Sequence, residues 1–237
     1  MLEVQPSVDA SVLEIAPDFR ALSISVIAAP ILNHSISKHA LEEAFLSVRS
    51  GSAPWADAHL GSWADVFRKF GAKPQRTPCS AEALRKRVIR DGGLPSIDPI
   101  VNLYNAVSIK YALPIGGENY DAYVGAPRLT IAQGDESFDT VKDGVAVLEL
   151  PEKGEVIWRD NVGVTCRRWN WRQGTRTRLD SGAKRMWFIL ESLSSMPEVE
   201  LLAAGNELKS LLVQLMPQAL VQSSVLTKTS ANGIASG

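Results

Sequence analysis

The apolar positions of this chain change period several times, and each change marks an element. From Phe19 to Ile31, Leu22, Ile24 and Val26 alternate with Ser23 and Ser25, the period of a half-buried strand. Residues 1–17 ahead of it show no such period and read as a loosely held lead-in. The spacing then turns helical. Leu41, Ala44, Phe45 and Val48 share one face behind Ser37 as N-cap, with Gly51 as the stop. Trp63, Val66, Phe67 and Phe70 repeat the pattern over Trp55–Phe70, ended by Gly71.

A stiff basic loop follows, with Pro74 and Pro78 between Lys73 and Arg76. Ser80 is placed to cap the next helix, whose Ala81, Leu84 and Val88 form a buried stripe and whose Arg85, Lys86, Arg87 and Arg90 mostly face solvent. Asp98-Pro99 is a strong helix start: a capping carboxylate, then a residue lacking an N–H that no helix uses at that position. Ile100, Leu103, Val107 and Tyr111 make its core face. Val101, Asn105, Ser108 and Ala112 make a smaller, partly polar face that lets a backbone or a ligand come close. Gly116-Gly117 then reads as a turn.

From Arg128 the texture becomes β: RLTIA, VAVLEL and GEVIW are short, rich in branched residues and separated by Gly, Asp and Pro. Asp160-Asn161 turns GEVIW into VGVTCRRW as a hairpin. Strand parity predicts Val162, Val164, Cys166, Arg168 and Asn170 on one face, and Gly163, Thr165, Arg167, Trp169 and Trp171 on the other. The two adjacent arginines then point opposite ways. A helix is expected from Ser181 to about Ser195, a further amphipathic stretch from Pro197 to about Met216, and a flexible tail over Ser223–Gly237. The fold class is α+β, not a doubly wound sheet. The expected organisation is a lead-in over 1–18, one domain over 19–196, and a C-terminal helix and tail over 197–237.

Composition narrows the function. The 237 residues are 45% hydrophobic and 22% charged, enough for a sizeable core without disulfides or metals. The net charge of -1 means that any affinity for nucleic acid rests on a local patch. Cys79 and Cys166 sit in dissimilar contexts, as in a reduced cytoplasmic protein. There is no membrane-length apolar run, and the acidic N-terminus lacks the basic region of a signal peptide. No Cys/His spacing fits a zinc site, no Gly-rich loop cradles phosphate, and no nucleophile elbow is present, so no metal or cofactor is expected. Catalysis, if any, rests on positioning and electrostatics.

WADVFRKFGAKP, the helix Ala81–Arg90, GLPSIDPIVNLYNAVSIKYALPIGGENYD, GDESF at Gly134–Phe138, GEVIW and CRRWNWR together resemble the stand-alone B3/4 domain proteins. These are similar to the tRNA-binding and editing domain of the phenylalanyl-tRNA synthetase beta subunit. The resemblance covers about residues 19–195 in order. It implies a sandwich-like α+β domain that removes a wrong amino acid from a tRNA, with tRNA as partner and no role for DNA or membrane. The synthetase's Thr-Asn pocket pair aligns with Tyr104-Asn105, its pocket His falls near Gly116, and its Gly-rich strand aligns with VGVTCRRW. These departures turn the implied substrate from an aromatic amino acid toward canavanine, an arginine analogue that some stand-alone members remove from tRNA(Arg).

For such a substrate Asn105 and Tyr104 are expected to hold the substrate and the attacking water, and Glu118 with Asp121 its cationic groups. Gly116 and Gly117 offer backbone N–H groups to the oxyanion. Ser108, Gly163, Arg167, Arg168 and Asn170 are expected to line the pocket, and Lys73, Arg76, Arg85 and Arg87 to contact tRNA. Blander readings stand beside these. Glu118 and Asp121 equally suit capping or pairing with the arginines, Arg168 a buried carboxylate, and Trp169 and Trp171 the core. A non-catalytic tRNA-binding module and a pocket for a free amino acid remain the competing functions.

Overall fold

The computed structural model describes residues 4–51 and 53–226. In chain order its elements are β1 (Ser7–Val8), α1 (Ala10–Ile15), β2 (Arg20–Ile27), α2 (Ser35–Ser50), α3 (Ala56–Lys69), α4 (Ser80–Asp91) and α5 (Pro99–Tyr111). Then come β3 (Ile115–Asn119), a 3-10 turn at Tyr120–Ala122, β4 (Arg128–Ile131), β5 (Phe138–Lys142), β6 (Val145–Glu149), β7 (Val156–Arg159) and β8 (Val164–Arg167). The chain continues with β9 (Arg172–Gln173), β10 (Arg185–Ser192), α6 (Glu198–Leu215) and β11 (Leu220–Leu226). The fold is α+β.

A four-stranded sheet in the order β11-β2-β10-β3 is the middle layer. Leu22, Ile24 and Val26 of β2 and Met186, Phe188 and Leu190 of β10 face a helical layer of α2, α5 and α6. The alternate residues Ala21, Trp187 and Ile189 face a second core with Trp63 and Phe67 of α3 and with Leu129, Val156 and Trp158 of the five-stranded sheet β1-β4-β7-β8-β9. The small β5–β6 hairpin stands apart.

Covering the middle sheet on both faces accounts for most departures from the expected elements. Residues 181–195 hold strand β10, not a helix. Its central position between β2 and β3 buries both faces, so its apolar residues run continuously and mimic a buried helix. Ser23 and Ser25, expected outside, are 1% and 5% exposed. Their hydroxyls are satisfied locally: Val4 N donates to Ser25 Oγ at 3.0 Å and Trp187 Nε1 to Ser23 Oγ at 2.9 Å. The lead-in is therefore packed, with Val4, Val12 and Ala16 fully buried. Ser223–Leu226 of the expected tail lie in β11 against β2, and residues 227–237 lie outside the described residues. Leu201, Ala204, Leu208 and Leu212 of α6 belong to the same core as β2 and α5.

Local signals fared better. Asp98 Oδ1 accepts from the N–H groups of Ile100 and Val101, with Pro99 opening α5 as expected. The helices at Ser37 and Ser80 begin at Ser35 and at Ser80 itself, without the expected hydroxyl caps.

Candidate active site

A cavity of about 240 Å³ opens where α4, α5, β3, β10 and the β8–β9 connection meet. Its wall includes Tyr104, Asn105, Gly116, Gly117, Glu118 and Asn170, six of the residues expected at the site. The GGEN segment is not a turn but an edge strand, β3, paired antiparallel to β10 with Gly116 opposite Ile189 and Glu118 opposite Trp187. Both of these pairs face the second core, so Glu118 enters the cavity beside Trp187. Gly117 points the other way, where a Cβ would stand 2.7 Å from Tyr104 Cε1.

Glu118 is 4% exposed and its Oε2 has no hydrogen-bond partner. Burial pushes its carboxyl up to about 8, against a downward pull from hydrogen bonding by Thr177 and Gln173 and from the charge of Arg176. Ser80 Oγ and Asn170 Oδ1, also in the wall, are buried and unpartnered as well. Asn105 is half-buried, and among the described residues its side chain has no hydrogen-bond partner. Burial also raises the Tyr104 hydroxyl, which stays protonated and able to donate at neutral pH. Gly117 C=O accepts from Gln173 Nε2 at 2.7 Å. In an antiparallel edge strand the N–H of a residue points the same way as its C=O, so Gly117 N–H faces away from β10, toward the side of Gln173 and Thr177, while Gly116 N–H faces β10. Only one of the two expected oxyanion donors is thus available.

Glu191 was missed. It is fully buried in the cavity wall and lies four residues beyond Trp187 on the same face of β10, roughly 13 Å along the strand. Its Oε1 accepts from Trp158 Nε1 at 2.9 Å and Trp169 Nε1 at 3.0 Å, and its Oε2 from Asn170 Nδ2 at 3.0 Å. Burial pushes the carboxyl up to about 7, and these three bonds pull it back. All three donors are neutral, and among the described residues no lysine or arginine forms a salt bridge with it. A single Glu inside the apolar run MWFIL-E was the available signal.

Other expected residues lie elsewhere. Ser108 is fully buried and its Oγ donates to Leu113 O at 2.7 Å, closing α5. Asp121 accepts from Lys184 N and Arg185 N at 3.1 and 3.0 Å and pairs with the Arg185 guanidinium, the capping role left open above. Gly163 packs against Ser137, where a Cβ would stand 2.5 Å from the carbonyl oxygen. Arg167 and Arg168 do not take opposite jobs: both converge on Glu155. Arg167 holds it through Nε and Nη2 at 3.0 and 2.8 Å, and Arg168 N donates to it at 2.9 Å. Parity fails because Arg168 and Trp169 both take positive φ, 47° and 64°, ending β8 and swinging Trp169 into the second core.

Residues 62–197 match the B3/4 domain family. The chain belongs to that family. It is also similar in fold to a crystal structure of an N-terminal fragment of the phenylalanyl-tRNA synthetase beta-subunit from Pyrococcus horikoshii, with a TM-score of 0.51 at 9% identity. The alignment covers 93% of this chain and 51% of that one, so the chain spans about half of that fragment. Among curated proteins no relative was found.

Around the B3/4 cavity the basic residues sort into two sets. Arg85 is buried and donates to Ile109 O at 2.6 Å at the end of α5, so it is no surface contact. Lys86 pairs with Glu82, Arg90 with Asp91 and Arg68 with Asp65. Lys73, Arg76 and Arg87 are exposed, and none of them forms a salt bridge among the described residues. Arg87 follows Ala83 and Leu84 of the cavity wall by one turn of α4.

Among the described residues the wall of the B3/4 cavity holds no histidine and no thiolate. Burial pushes the Cys79 thiol up to about 12 and the Cys166 thiol well up, so neither is a thiolate at neutral pH. His59 is a core residue: Nδ1 donates to Ala112 O at 2.9 Å, Nε2 accepts from Trp63 and Leu193, and burial pushes it down to about 4. Among the described residues no cluster of three or more His, Cys, Asp or Glu could hold a metal ion, and no helix is long and apolar enough to cross a membrane.

Proposed function

We propose that this B3/4 domain hydrolyses the ester joining a wrong amino acid to the 3′ end of a tRNA, and that the amino acid carries a cationic head such as the guanidino-oxy group of canavanine. The observation that carries the reading is Glu118: a buried carboxylate with an unpartnered oxygen, facing a cavity with Glu191 in the same wall. Two carboxylates raised by burial, neither of them in a salt bridge among the described residues, favour a ligand that brings positive charge, because charge-assisted hydrogen bonds then restore the ionised forms. An aromatic amino acid offers only its ammonium group for this.

The chemistry needs little more than placement. Water bonds to the ester carbon, the bond from that carbon to the ribose oxygen breaks, and the ribose oxygen takes up a proton. Asn105 and the Tyr104 hydroxyl supply polar groups to hold the carbonyl and the water. Gly117 N–H, on the side of β3 away from β10, is the remaining backbone donor, and one donor to a developing oxyanion is typically worth about 3 kcal/mol. Holding an already labile ester against a fixed water supplies the remainder. Lys73, Arg76 and Arg87 are the remaining candidates for phosphate contacts.

The test is a deacylation screen on tRNAs mischarged with several amino acids, canavanine included. Turnover is expected for a cationic side chain, with Asn105→Ala and Glu118→Gln strongly reduced. Binding of tRNA without turnover would make the protein a binding module. Binding of the free amino acid without tRNA would make it a pocket protein. Either result overturns the proposal.

A further inference from the structure

A second cavity, of about 280 Å³, lies on the far side of the wall that bounds the first. Trp169 and Trp171 line the first cavity, whereas Arg168 and Phe70 line the second. The guanidinium of Arg168 sits 4.7 Å over the Trp171 ring, and the Phe70 and Trp169 rings are 6.5 Å apart. The two cavities are thus separated by the thickness of these side chains.

That wall exists because Arg168 and Trp169 take consecutive left-handed conformations, each costing an L-residue roughly 1–2 kcal/mol. Strain of this kind persists where the surroundings hold it, and it clusters at ligand clamps. Glu155 holds Arg168 N, and Val156 O accepts from Trp169 N at 2.6 Å. The outcome is two neighbouring side chains serving two cavities.

The second cavity is electropositive. Lys73 and Arg76 reach it from the loop after α3, Lys153 from the loop before β7, and Arg168 from the wall. Among the described residues Lys73, Arg76 and Lys153 have no carboxylate within salt-bridge reach. Two carboxylates oppose the cluster: Glu155, held chiefly by Arg167 and 3.7 Å from Arg168 Nε, and exposed Glu152, 3.6 Å from Arg168. Phe70, half-buried, supplies an aromatic face. Cationic side chains along a concavity with an aromatic face are what a single-stranded nucleic acid takes: phosphates on the cations, a base on the ring.

We propose that the second cavity seats the single-stranded nucleotides preceding the 3′ terminus of an RNA, with phosphates against Lys73, Arg76, Lys153 and Arg168 and a base against Phe70. The aminoacylated terminal nucleoside then enters the first cavity past part-exposed Trp171. This path rests on the reading of the first cavity as an aminoacyl-ester site.

The experiment measures binding of a fluorescent single-stranded oligoribonucleotide ending in CCA, uncharged, across a salt series. Charge reversal of Arg76 and Lys153 together should weaken binding at least tenfold. It should also flatten the log–log salt slope by about 1.4, two phosphate contacts at about 0.7 each. Equal reversal at Lys38 and Lys142, exposed and outside both cavities, should weaken it far less. Unchanged affinity and slope in the first variant, equal loss in the second, or no binding by the wild-type protein would each overturn the proposal. Hydrolysis of an aminoacyl-adenosine by the wild-type protein, measured alongside, reports separately on the first cavity. Its absence beside a positive RNA result would remove the ester reading and leave the RNA seat standing.

Discussion

Gly117 lies against the ring of Tyr104 so closely that a methyl group there would stand 2.7 Å from Cε1 and 3.0 Å from Cδ1. The missing side chain lets the edge strand β3 settle on α5 and fixes Tyr104 at the cavity wall. Gly117→Ala should therefore displace the ring and destabilise the fold by about 1–3 kcal/mol. Gly116→Ala, facing only a side-chain methyl of Ile189 at 3.3 Å, should cost less. Denaturant midpoints of the two variants check the order, and equal losses would contradict it.

Glu118→Gln keeps shape and hydrogen-bonding capacity but removes the charge. It should lower kcat/KM on a tRNA carrying a cationic amino acid roughly tenfold to a hundredfold, about 1.4–2.7 kcal/mol. Asp121→Asn, at a residue that caps Lys184 and Arg185 outside the cavity, should leave that ratio within a few-fold of wild type. Steady-state kinetics of both variants distinguishes pocket charge from surface capping.

The same carboxyl predicts a pH effect on stability. Burial raises Glu118 from 4.5 to about 8, so between those values the unfolded chain ionises the group and the folded protein does not. Its contribution is full below about pH 4.5 and is lost as pH rises toward 8. Glu191, raised to about 7, acts with the same sign. The melting temperature of wild type minus that of Glu118→Gln should therefore fall between pH 5 and 8. A difference that stays flat would mean that the carboxyl is ordinary.

Arg167 and Glu155 form a buried pair at 2.8 Å, with the guanidinium above the Phe138 ring. Arg167→Met leaves Glu155 buried and mostly uncompensated, and should cost about 3–5 kcal/mol of unfolding free energy. Arg167→Lys should recover only part of this, since a lysine cannot offer two parallel donors. Chemical denaturation reads both. A near-neutral Arg167→Met would show that Arg168 alone suffices for Glu155.

What the sequence determined by itself was everything set by neighbours along the chain. Asp98-Pro99 opens a helix because capping needs only residues two and three positions away, and that helix carries Tyr104 and Asn105 to the cavity in either reading of its function. The hairpin at Asp160-Asn161 and the helical stripes before Gly71 are legible for the same reason. The motifs from Trp63 to the Arg-Arg-Trp segment also carried the family, and with it the α+β fold. Tertiary structure decided what depends on the far side of a layer. Strand β10 has no period to read because both its faces are covered, and Glu191 was hidden inside it. Ser23 and Ser25 are buried because the N-terminal segment and Trp187 reach them from outside β2. Arg168 and Trp169 break strand parity because Glu155 and the second core hold a left-handed turn that no local pattern announces. Whether a carboxylate caps a loop, as Asp121 does, or stands in a cavity with one oxygen unpartnered, as Glu118 does, is a question of what surrounds it, and distant segments supply the surroundings.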